Sequence, residues 1–524
     1  MRERSTGTFD VKCQRIARRR SLMRQDLQTQ ILRMLGTGML AGLSVTLGCQ
    51  GDTTVPADTG GADDAGDQGG AGGQGGAGDA PATCESRRGD HDDACPADAP
   101  CAITLDVEVT CTDPTFAAGG VRAVPAAGAT YLVTSSDDPT RLFELDDGGA
   151  TQRDFDVQST TVSVALSPDG RAYAAVDETN GSGDGYPGGV VFLPLAGSAA
   201  DKQRVFDRDG DYVPVLDVAV DSRGEPHIWI DTGAPDSVAH ATRTSGGAWD
   251  VAPASLPSGS NYTRFTLAPD DAPLAFGLVE PLAGVRQLTV LDGTTERSLG
   301  APKSASFLLD YEPVPPPQPA GRATFPRFAA VVQHTDGLRL ASAGEDGGFD
   351  EVAIPGTETP TYRCQDGVDI PPPGSASCPA ECHMVASGLA WSAFAAARTS
   401  DGDAWIALLI SHIDETLTYE LKDTGLDRVC VGHTVADESR GELRLVRVPA
   451  EGGAPEVAVT LPLPAIAGGS YFNDLHEQHP LVDVSAFGTE LTVAMRTQAS
   501  RLGPFTARVL RIDTSLLAPA APGG

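Results

Sequence analysis

Short apolar runs of four to seven residues alternate with turns rich in Gly, Asp and Pro over residues 119–517, and no long helical pattern interrupts them. Runs of this length bounded by turn residues are typical of β-strands. The clearest example covers residues 162–176, where two stretches of period-two alternation flank the turn Ser167-Pro168-Asp169-Gly170. Residues 119–517 are therefore predicted to be all-β and built from hairpins.

Similar hairpins recur along this region, and second hairpins follow several of them. The first set turns near 128, 167–170, 221–224, 268–271, 334–337, 400–402 and 487–488, and the second set includes 141–150, 287–294 and 443–453. Two hairpins per unit make four strands, and four-stranded units repeating at roughly 40–60 residues are typical of β-propeller blades. We therefore expect a β-propeller of about seven four-stranded blades, with room for one more between 402 and 488. Tandem β-sandwiches are the alternative, because they also need many short strands.

One of these units has a recognisable sequence. The stretch Ala165-Leu-Ser-Pro-Asp-Gly-Arg-Ala-Tyr173 resembles the Pro-Asp β-propeller repeat of bacterial periplasmic proteins. The other hairpins lose the Pro or the Asp, so the resemblance covers one blade. It implies the fold and brings no catalytic residues with it.

Two different segments precede the strand-rich region. Residues 50–83 are mostly Gly, Ala, Asp and Thr with no periodic apolar pattern, which predicts a flexible linker that cannot offset its chain entropy by burial. Residues 84–112 are dense in cysteine and poor in apolar residues. A unit this short is expected to depend on disulfides.

Eight cysteines follow the predicted signal segment, in two groups of four. They are Cys84, Cys95, Cys101, Cys111, Cys364, Cys378, Cys382 and Cys430. An even number in an exported chain predicts disulfides, and each group of four permits three pairings. The second group begins within an interruption near 357–385, which is expected to be a disulfide-stapled loop between blades.

Residues 1–49 have the order of an export signal. The stretch 34–48 is apolar and uncharged, follows a basic segment, and at 15 residues is too short to span a bilayer. Its end, Leu47-Gly48-Cys49, resembles the lipobox of bacterial lipoproteins, although Thr46 stands where the family usually has Leu. The resemblance implies that Cys49 is lipidated and anchors the protein. The family's inner-membrane retention signal is an aspartate after the cysteine, and this chain has Gln50 there. An ordinary cleaved signal with an incidental cysteine is the alternative.

The basic segment itself has two interpretations. Arg19-Arg20-Ser21-Leu22-Met23-Arg24 resembles the twin-arginine export motif. A basic segment that merely supplies positive charge to an ordinary signal is the alternative. Both place the protein outside the cytoplasm, in the periplasm or on the cell surface, and the outer membrane is the expected site of the anchor.

The charge balance excludes one class of partner. Asp and Glu number 71 against 38 Lys and Arg, for a net charge of −33. A surface this acidic repels phosphate backbones, so nucleic acid is not expected as a partner. Solubility is the ordinary consequence of such a charge.

Three alternating carboxylates suggest a cation site. Asp207, Asp209 and Asp211 fit a loop that wraps calcium with hard oxygen ligands, and Asp217 could add a fourth. The segment is not an EF-hand, because that pattern would need Gly at position 212 and Glu at position 218. A solvated acidic turn is the alternative.

The histidines and cysteines give weaker signals. Cys378-Pro-Ala-Glu-Cys382-His383 has one residue more than the haem-attachment string Cys-x₂-Cys-His, which favours disulfides. His476 and His479 are predicted to lie in an ordinary acidic surface loop, and a transition-metal site formed by the two histidines is the alternative. His227, beside Trp229, is expected in the core or lining the channel.

No catalytic residues are predicted. The sequence has no Gly-x-Ser-x-Gly, P-loop or zinc-protease helix motif in its mature part. We therefore expect an exported, membrane-tethered lipoprotein whose propeller head binds a protein or glycan partner without catalysis. The alternative is an extracytoplasmic propeller enzyme, a hydrolase or lyase of polysaccharide with its site in the central channel, since one fold hosts both functions.

Overall fold

A computed structural model gives the fold of the C-terminal unit, residues 78–524. It describes residues 83–95, 101–112, 116–117, 120–135, 140–153, 161–178, 187–209, 215–232, 238–244, 246–268, 270–282, 285–300, 302, 304–307, 329–334, 336–344, 348–357, 362–364, 378, 381–386, 390–412, 414–423, 428–437, 440–450, 453–463, 482–498 and 505–517. The predicted signal, the linker up to residue 82 and the candidate anchor Cys49 lie outside these residues.

The described residues form strands joined by turns, with three short 3-10 helices at Asp92–Ala94, Ala199–Asp201 and Thr514–Leu516. The strands are β1 Cys84–Arg88, β2 Ile103–Cys111, β3 Val121–Ala126, β4 Ala129–Thr134, β5 Arg141–Asp146, β6 Gly149–Arg153, β7 Val162–Leu166, β8 Ala172–Glu178, β9 Pro187–Pro194, β10 Gln203–Asp209, β11 Val215–Val220, β12 Pro226–Asp231, β13 Val238–Arg243, β14 Trp249–Pro253, β15 Ser260–Leu267, β16 Pro273–Leu282, β17 Val285–Asp292, β18 Thr295–Gly300, β19 Ser304–Phe307, β20 Ala329–His334, β21 Gly337–Ala343, β22 Phe349–Ala353, β23 Tyr362–Cys364, β24 Glu381–Ala386, β25 Ala390–Arg398, β26 Ala404–His412, β27 Asp414–Asp423, β28 Arg428–Asp437, β29 Arg440–Val448, β30 Glu456–Leu463, β31 Val482–Phe487, β32 Glu490–Gln498 and β33 Phe505–Asp513.

The strands pair into seven antiparallel blades, numbered here in chain order. Blades one to five are β3–β6, β7–β10, β11–β14, β15–β18 and β19–β22, and blade six is β25, β26, β29 and β30. Blade seven is β31, β32, β33 and β2, with β1 added at its outer edge. The innermost strands contact their neighbours around the ring, and β31 of blade seven contacts β3 of blade one. The chain is therefore a closed seven-bladed β-propeller, as the hairpin pattern predicts.

The core lies between the blades. Buried apolar side chains form seven clusters, and each cluster combines residues from two adjacent blades around the full circle. The cluster between blades one and two, for example, joins Val124 and Val133 to Ala174 and Leu193. Burial between blades thus replaces a single central core, because each sheet has two apolar faces to cover.

The ring is closed by the cysteine-rich segment, which differs from the separate unit expected from the sequence. Strand β2 within 84–112 pairs with β33 from Ile103↔Ile512 to Thr110↔Thr506, so the two ends of the folded chain share one sheet. A buried cluster secures this join: Arg508 Nη2 donates to Asp106 Oδ2 at 2.6 Å, and His91 Nδ1 lies 3.0 Å from the same oxygen. Strand β2 thereby covers the edge of β33 that would otherwise be unpaired.

Two local expectations are wrong in their details. The turn at 334–337 joins β20 to β21, the second and third strands of blade five, and is not an inner hairpin. The interval 402–488 contains no additional blade in its described part, because β27 and β28 leave the ring and pair with β23 and β24. A hairpin signal identifies two paired strands but not their place in the blade.

The segment near 357–385, expected as a loop, therefore contains two strands of an additional sheet. We call β23, β24, β27 and β28 the accessory sheet. Cys378 and Cys430 form a disulfide that links the two insertions supplying it. Elsewhere Cys84 pairs with Cys111 and Cys95 with Cys101, which settles the first group of four, and Cys364 is also disulfide-bonded.

Candidate ligand-binding face and central channel

The two ends of the propeller differ in their connections. In an antiparallel blade, the link from second to third strand and the link from fourth strand to the next blade lie at the same end. We call this end the insertion face and the opposite end the turn face. On the turn face, the first and second strands of blades two, three and six are joined by tight turns such as Ser167–Arg171 and Thr399–Asp403.

Both insertions that build the accessory sheet leave from the insertion face. One runs from blade five to blade six, and the other joins the second and third strands of blade six. Because both begin at the same end, β24 can pair with β27, as the register Glu381↔Thr418 to Val385↔Asp414 shows. The insertion face thus carries a second, disulfide-linked structure that closing the propeller does not require.

Within the part of the chain that the structure describes, two charged pairs between the innermost strands of adjacent blades stand out. On blade three, Asp217 receives hydrogen bonds from Arg264 of blade four, with Nη2 at 2.6 Å from Oδ1 and Nε at 3.0 Å. The backbone N–H of Phe265 donates to Asp217 Oδ2 at 2.8 Å. Asp217 is therefore a link between blades, and its carboxylate has no open position suited to the calcium ligand role considered above.

The second pair joins blades seven and one. Arg122 Nη1 donates to Asp483 Oδ1 at 2.9 Å, and the N–H of Ala123 donates to Asp483 Oδ2 at 3.2 Å. Burial raises the pKa of Asp483, while the guanidinium groups of Arg122 and Arg264 act in the opposite direction. Arg264 belongs to blade four and Asp483 to blade seven.

Neutral side chains make equivalent links between blades two and three. The N–H of Val218 donates to Ser163 Oγ, and the N–H of Val215 donates to Thr161 Oγ1, each at 3.2 Å. Hydrogen bonds between the innermost strands of adjacent blades therefore also join blades two and three. The carboxylates of Asp217 and Asp483 are each bound by an arginine and by a backbone N–H donor.

His227 packs between blades and does not line the channel, so the core interpretation holds. Its Nδ1 lies 3.0 Å from Nε2 of His240 on the next strand, and the His240 ring stacks on Trp229 with centroids 4.7 Å apart. Trp229 in turn stacks on Phe265 of blade four at 5.3 Å. Burial lowers the pKa of His227, and burial together with the charge of His227 lowers the pKa of His240 to about 4.

The predicted calcium loop is only partly within the described residues. Asp207 accepts a hydrogen bond from Arg204 Nε at 2.5 Å and is therefore already part of an ion pair. The side chain of Asp209 and the whole of Asp211 lie outside the described residues. The calcium site therefore stays a prediction.

The other candidate ligands are similarly limited. Cys378 is paired with Cys430, which agrees with the disulfide interpretation of the Cys378–His383 string, whereas the side chains of Cys382 and His383 lie outside the described residues. His476 and His479 lie outside them too. His91, Cys95 and Cys101 lie within 4.8 Å of one another, but the two sulfurs form a disulfide and are not thiolate ligands.

Sequence reasoning missed the charged pairs of the inner strands. Arg122, Asp217 and Asp483 each interrupt an otherwise apolar strand, which is a signal that the sequence does contain. Their partners lie 47 and 361 residues away along the chain, which the sequence does not indicate.

The solved structures that resemble this chain do so only weakly. No protein-family model matches the chain, and no curated protein matches it. A puromycin hydrolase variant is similar at 15% identity and a TM-score of 0.36, over 77% of this chain and 53% of that one, so the chain spans about half its length. A virginiamycin B lyase from Staphylococcus aureus is similar at 11% identity and a TM-score of 0.33, over 82% and 99%. An α-L-arabinofuranosidase from Fusarium graminearum is similar at 11% identity and a TM-score of 0.35, over 81% of this chain and 97% of that one.

At identities and TM-scores this low, these likenesses carry no conclusion about the activity of this chain. The class of protein defined by the chain's own strand order is the seven-bladed β-propeller, closed by an N-terminal strand and extended by the accessory sheet. None of the helices in the described residues has the length and apolar character needed to span a bilayer.

Proposed function

We propose that this chain is an exported lipoprotein, anchored through Cys49 at the outer membrane by the linker 50–83, whose propeller binds a protein or glycan partner without catalysing a reaction. The lipobox-like sequence supports the anchor, and the charge of −33 argues against nucleic acid as the partner. Two acyl chains on one cysteine bring many buried CH₂ groups into the bilayer, which supports stable attachment.

The observation that carries the binding function is the accessory sheet on the insertion face. It orders two long insertions against each other and fixes them with the Cys378–Cys430 disulfide. Ordering a chain segment costs about 1–2 kcal/mol per residue in backbone entropy. The strands of the accessory sheet pair with no strand of the blades, so the closed ring does not need them. Loops held by a rigid scaffold are the usual site of recognition.

The alternative, a hydrolase or lyase in the channel, needs an acid and a base that exchange protons with a substrate. Among the described residues of the innermost strands, which surround the propeller axis, Asp217 and Asp483 are each bound by an arginine. The arginines hold both carboxylates in place by charge-assisted hydrogen bonds. This observation favours binding over catalysis.

The test compares full-length protein with a variant lacking the Cys378–Cys430 disulfide, C378S/C430S. Binding to a panel of purified envelope polysaccharides and envelope proteins is measured on a biosensor surface. The variant C95S/C101S is the matched control, because it removes a disulfide from blade seven instead. We expect the partner's affinity to fall at least tenfold in the first variant and to be retained in the control, with a folded propeller that melts cooperatively in both. Equal affinities in all three proteins would contradict the role of the accessory sheet.

A further inference from the structure

A second candidate site lies away from the channel and the accessory sheet. A cleft of about 710 Å³ opens where β10, the outer strand of blade two, meets the turn between β13 and β14 of blade three. The residues that line it are Gln203, Arg204, Val205, Arg243, Gly247, Ala248 and Trp249. This volume lies within the range of about 300–1,000 Å³ typical of small-molecule sites.

The two arginines of this cleft differ in their partners. Arg204 forms ion pairs with Glu178 and Asp207, so its charge is compensated. Arg243, in contrast, has only Gln203 Oε1 as a hydrogen-bond acceptor among the described residues, and no ion pair joins it to a carboxylate there. In a protein with a net charge of −33, Arg243 is a cation without a carboxylate of its own.

Aromatic rings hold Arg243 in place. Its Cζ lies 5.5 Å from the ring centroid of Trp249 and 6.0 Å from that of Phe192. Phe192 is itself stacked on Tyr173 with centroids 5.1 Å apart and packs edge-on against Trp249. Cation–π contact and packing fix the plane of the guanidinium, so little side-chain entropy remains to be lost when a ligand binds.

The remaining lining groups are mostly hydrogen-bond donors. Besides the two guanidinium groups, the cleft offers the amide of Gln203 and the indole of Trp249. Arg243 Nε and Trp249 Nε1 are buried and have no hydrogen-bond partner within the described residues. Val205 is the largest aliphatic side chain of the lining, so the cleft has no pocket suited to an apolar side chain of a peptide.

We propose that this cleft binds an acidic sugar residue of the uronic acid type. The planar guanidinium of Arg243 matches a carboxylate in a bidentate arrangement. The indole of Trp249 offers an apolar surface to the sugar ring, and Gln203 can both donate to and accept from its hydroxyl groups. This site is separate from the one proposed on the accessory sheet, and it names an acidic glycan as one ligand of the protein.

Calorimetric titration of full-length protein with tri-galacturonic acid tests the proposal, and its fully methyl-esterified form serves as the uncharged probe. We expect saturable binding of the acid, at least tenfold weaker binding of the ester, and weakening as NaCl rises from 0.05 to 0.5 M. R243Q should reduce the affinity at least tenfold. R243K should give an intermediate loss, because lysine keeps the positive charge but lacks the two parallel N–H donors of the guanidinium. R339Q is the matched control, because it removes one arginine from blade five.

The outcomes separate this proposal from the one above. Loss of uronate binding in R243Q with full binding in C378S/C430S supports the cleft alone. Equal binding of the acid and the ester, or unchanged affinity in a correctly folded R243Q protein, would overturn the proposal. Tri-glutamate that binds as tightly as the sugar, with the same dependence on Arg243, would overturn the sugar class and identify an acidic peptide instead.

Discussion

The buried histidine pair between blades three and four should make the propeller lose stability in mild acid. His227 Nδ1 and His240 Nε2 lie 3.0 Å apart, so one ring must donate and the other accept. Protonation of both rings would place two positive charges in contact, in a site that is already packed by Trp229 and Phe265. The native pair therefore resists protonation.

The magnitude follows from the pKa of His240, which burial and the charge of His227 lower from 6.5 to about 4. A base whose pKa is depressed by folding binds a proton more readily in the unfolded chain, so stability is full above about pH 6.5 and falls as pH drops towards 4. The complete loss is about 3 kcal/mol, and at pH 5 it is about 2 kcal/mol. Burial lowers the pKa of His227 too, which acts in the same direction.

Urea unfolding at pH 7 and pH 5 measures this difference, with H240Q as the variant that removes the titrating ring and keeps a side chain able to hydrogen-bond. Between the two pH values the wild type should lose about 2 kcal/mol more than H240Q. V290A is the control, because it truncates a fully buried side chain without removing a titratable group. It should lower stability equally at both pH values.

The result that would refute this reasoning is a wild type and an H240Q protein with the same pH dependence. The proton uptake that destabilises the protein in acid would then come from groups elsewhere. A steeper dependence in V290A than in the wild type would show that the two-state treatment of the unfolding data had failed.

Three further predictions concern the blade contacts and the anchor. D217N should lower the free energy of unfolding by about 3 kcal/mol, because it leaves the half-buried Arg264 without its counter-charge; a loss below about 1 kcal/mol in urea unfolding would show that the pair contributes little. C84S/C111S should cost about 3 kcal/mol and speed hydrogen exchange in β1, since the bond closes a loop of 27 residues; unchanged exchange in β1 would contradict this. C49S should abolish a diacylglycerol adduct in the intact mass and release the exported protein from the membrane fraction, whereas a wild type without the adduct would refute lipidation.

The sequence predicted the blades well because their signals are local. The turns at 167–170 and 221–224 lie within single hairpins, where a few turn residues decide the pairing. The turn at 334–337 has the same local pattern but joins the second and third strands of its blade. Position within a blade depends on contacts with neighbouring sheets, which no turn sequence encodes.

Closure and the candidate sites could not be predicted for the same reason. Ile103 pairs with Ile512 across almost the whole folded chain. The cleft brings Gln203 to Arg243, and the inner ring brings Arg122 to Asp483, although nothing near either residue in the sequence indicates its partner. The charged residues were visible as exceptions in apolar strands, but only the packing of blades shows that they are paired.

The central claim is that the propeller binds its ligand and leaves it unchanged. The most direct measurement is a prolonged incubation of full-length protein with tri-galacturonic acid and with each polysaccharide that the biosensor panel identifies, followed by mass analysis of the saccharides. We predict saturable binding with every saccharide recovered at its original mass. Shortened chains or unsaturated ends that form in proportion to protein concentration would contradict the claim and identify a hydrolase or a lyase.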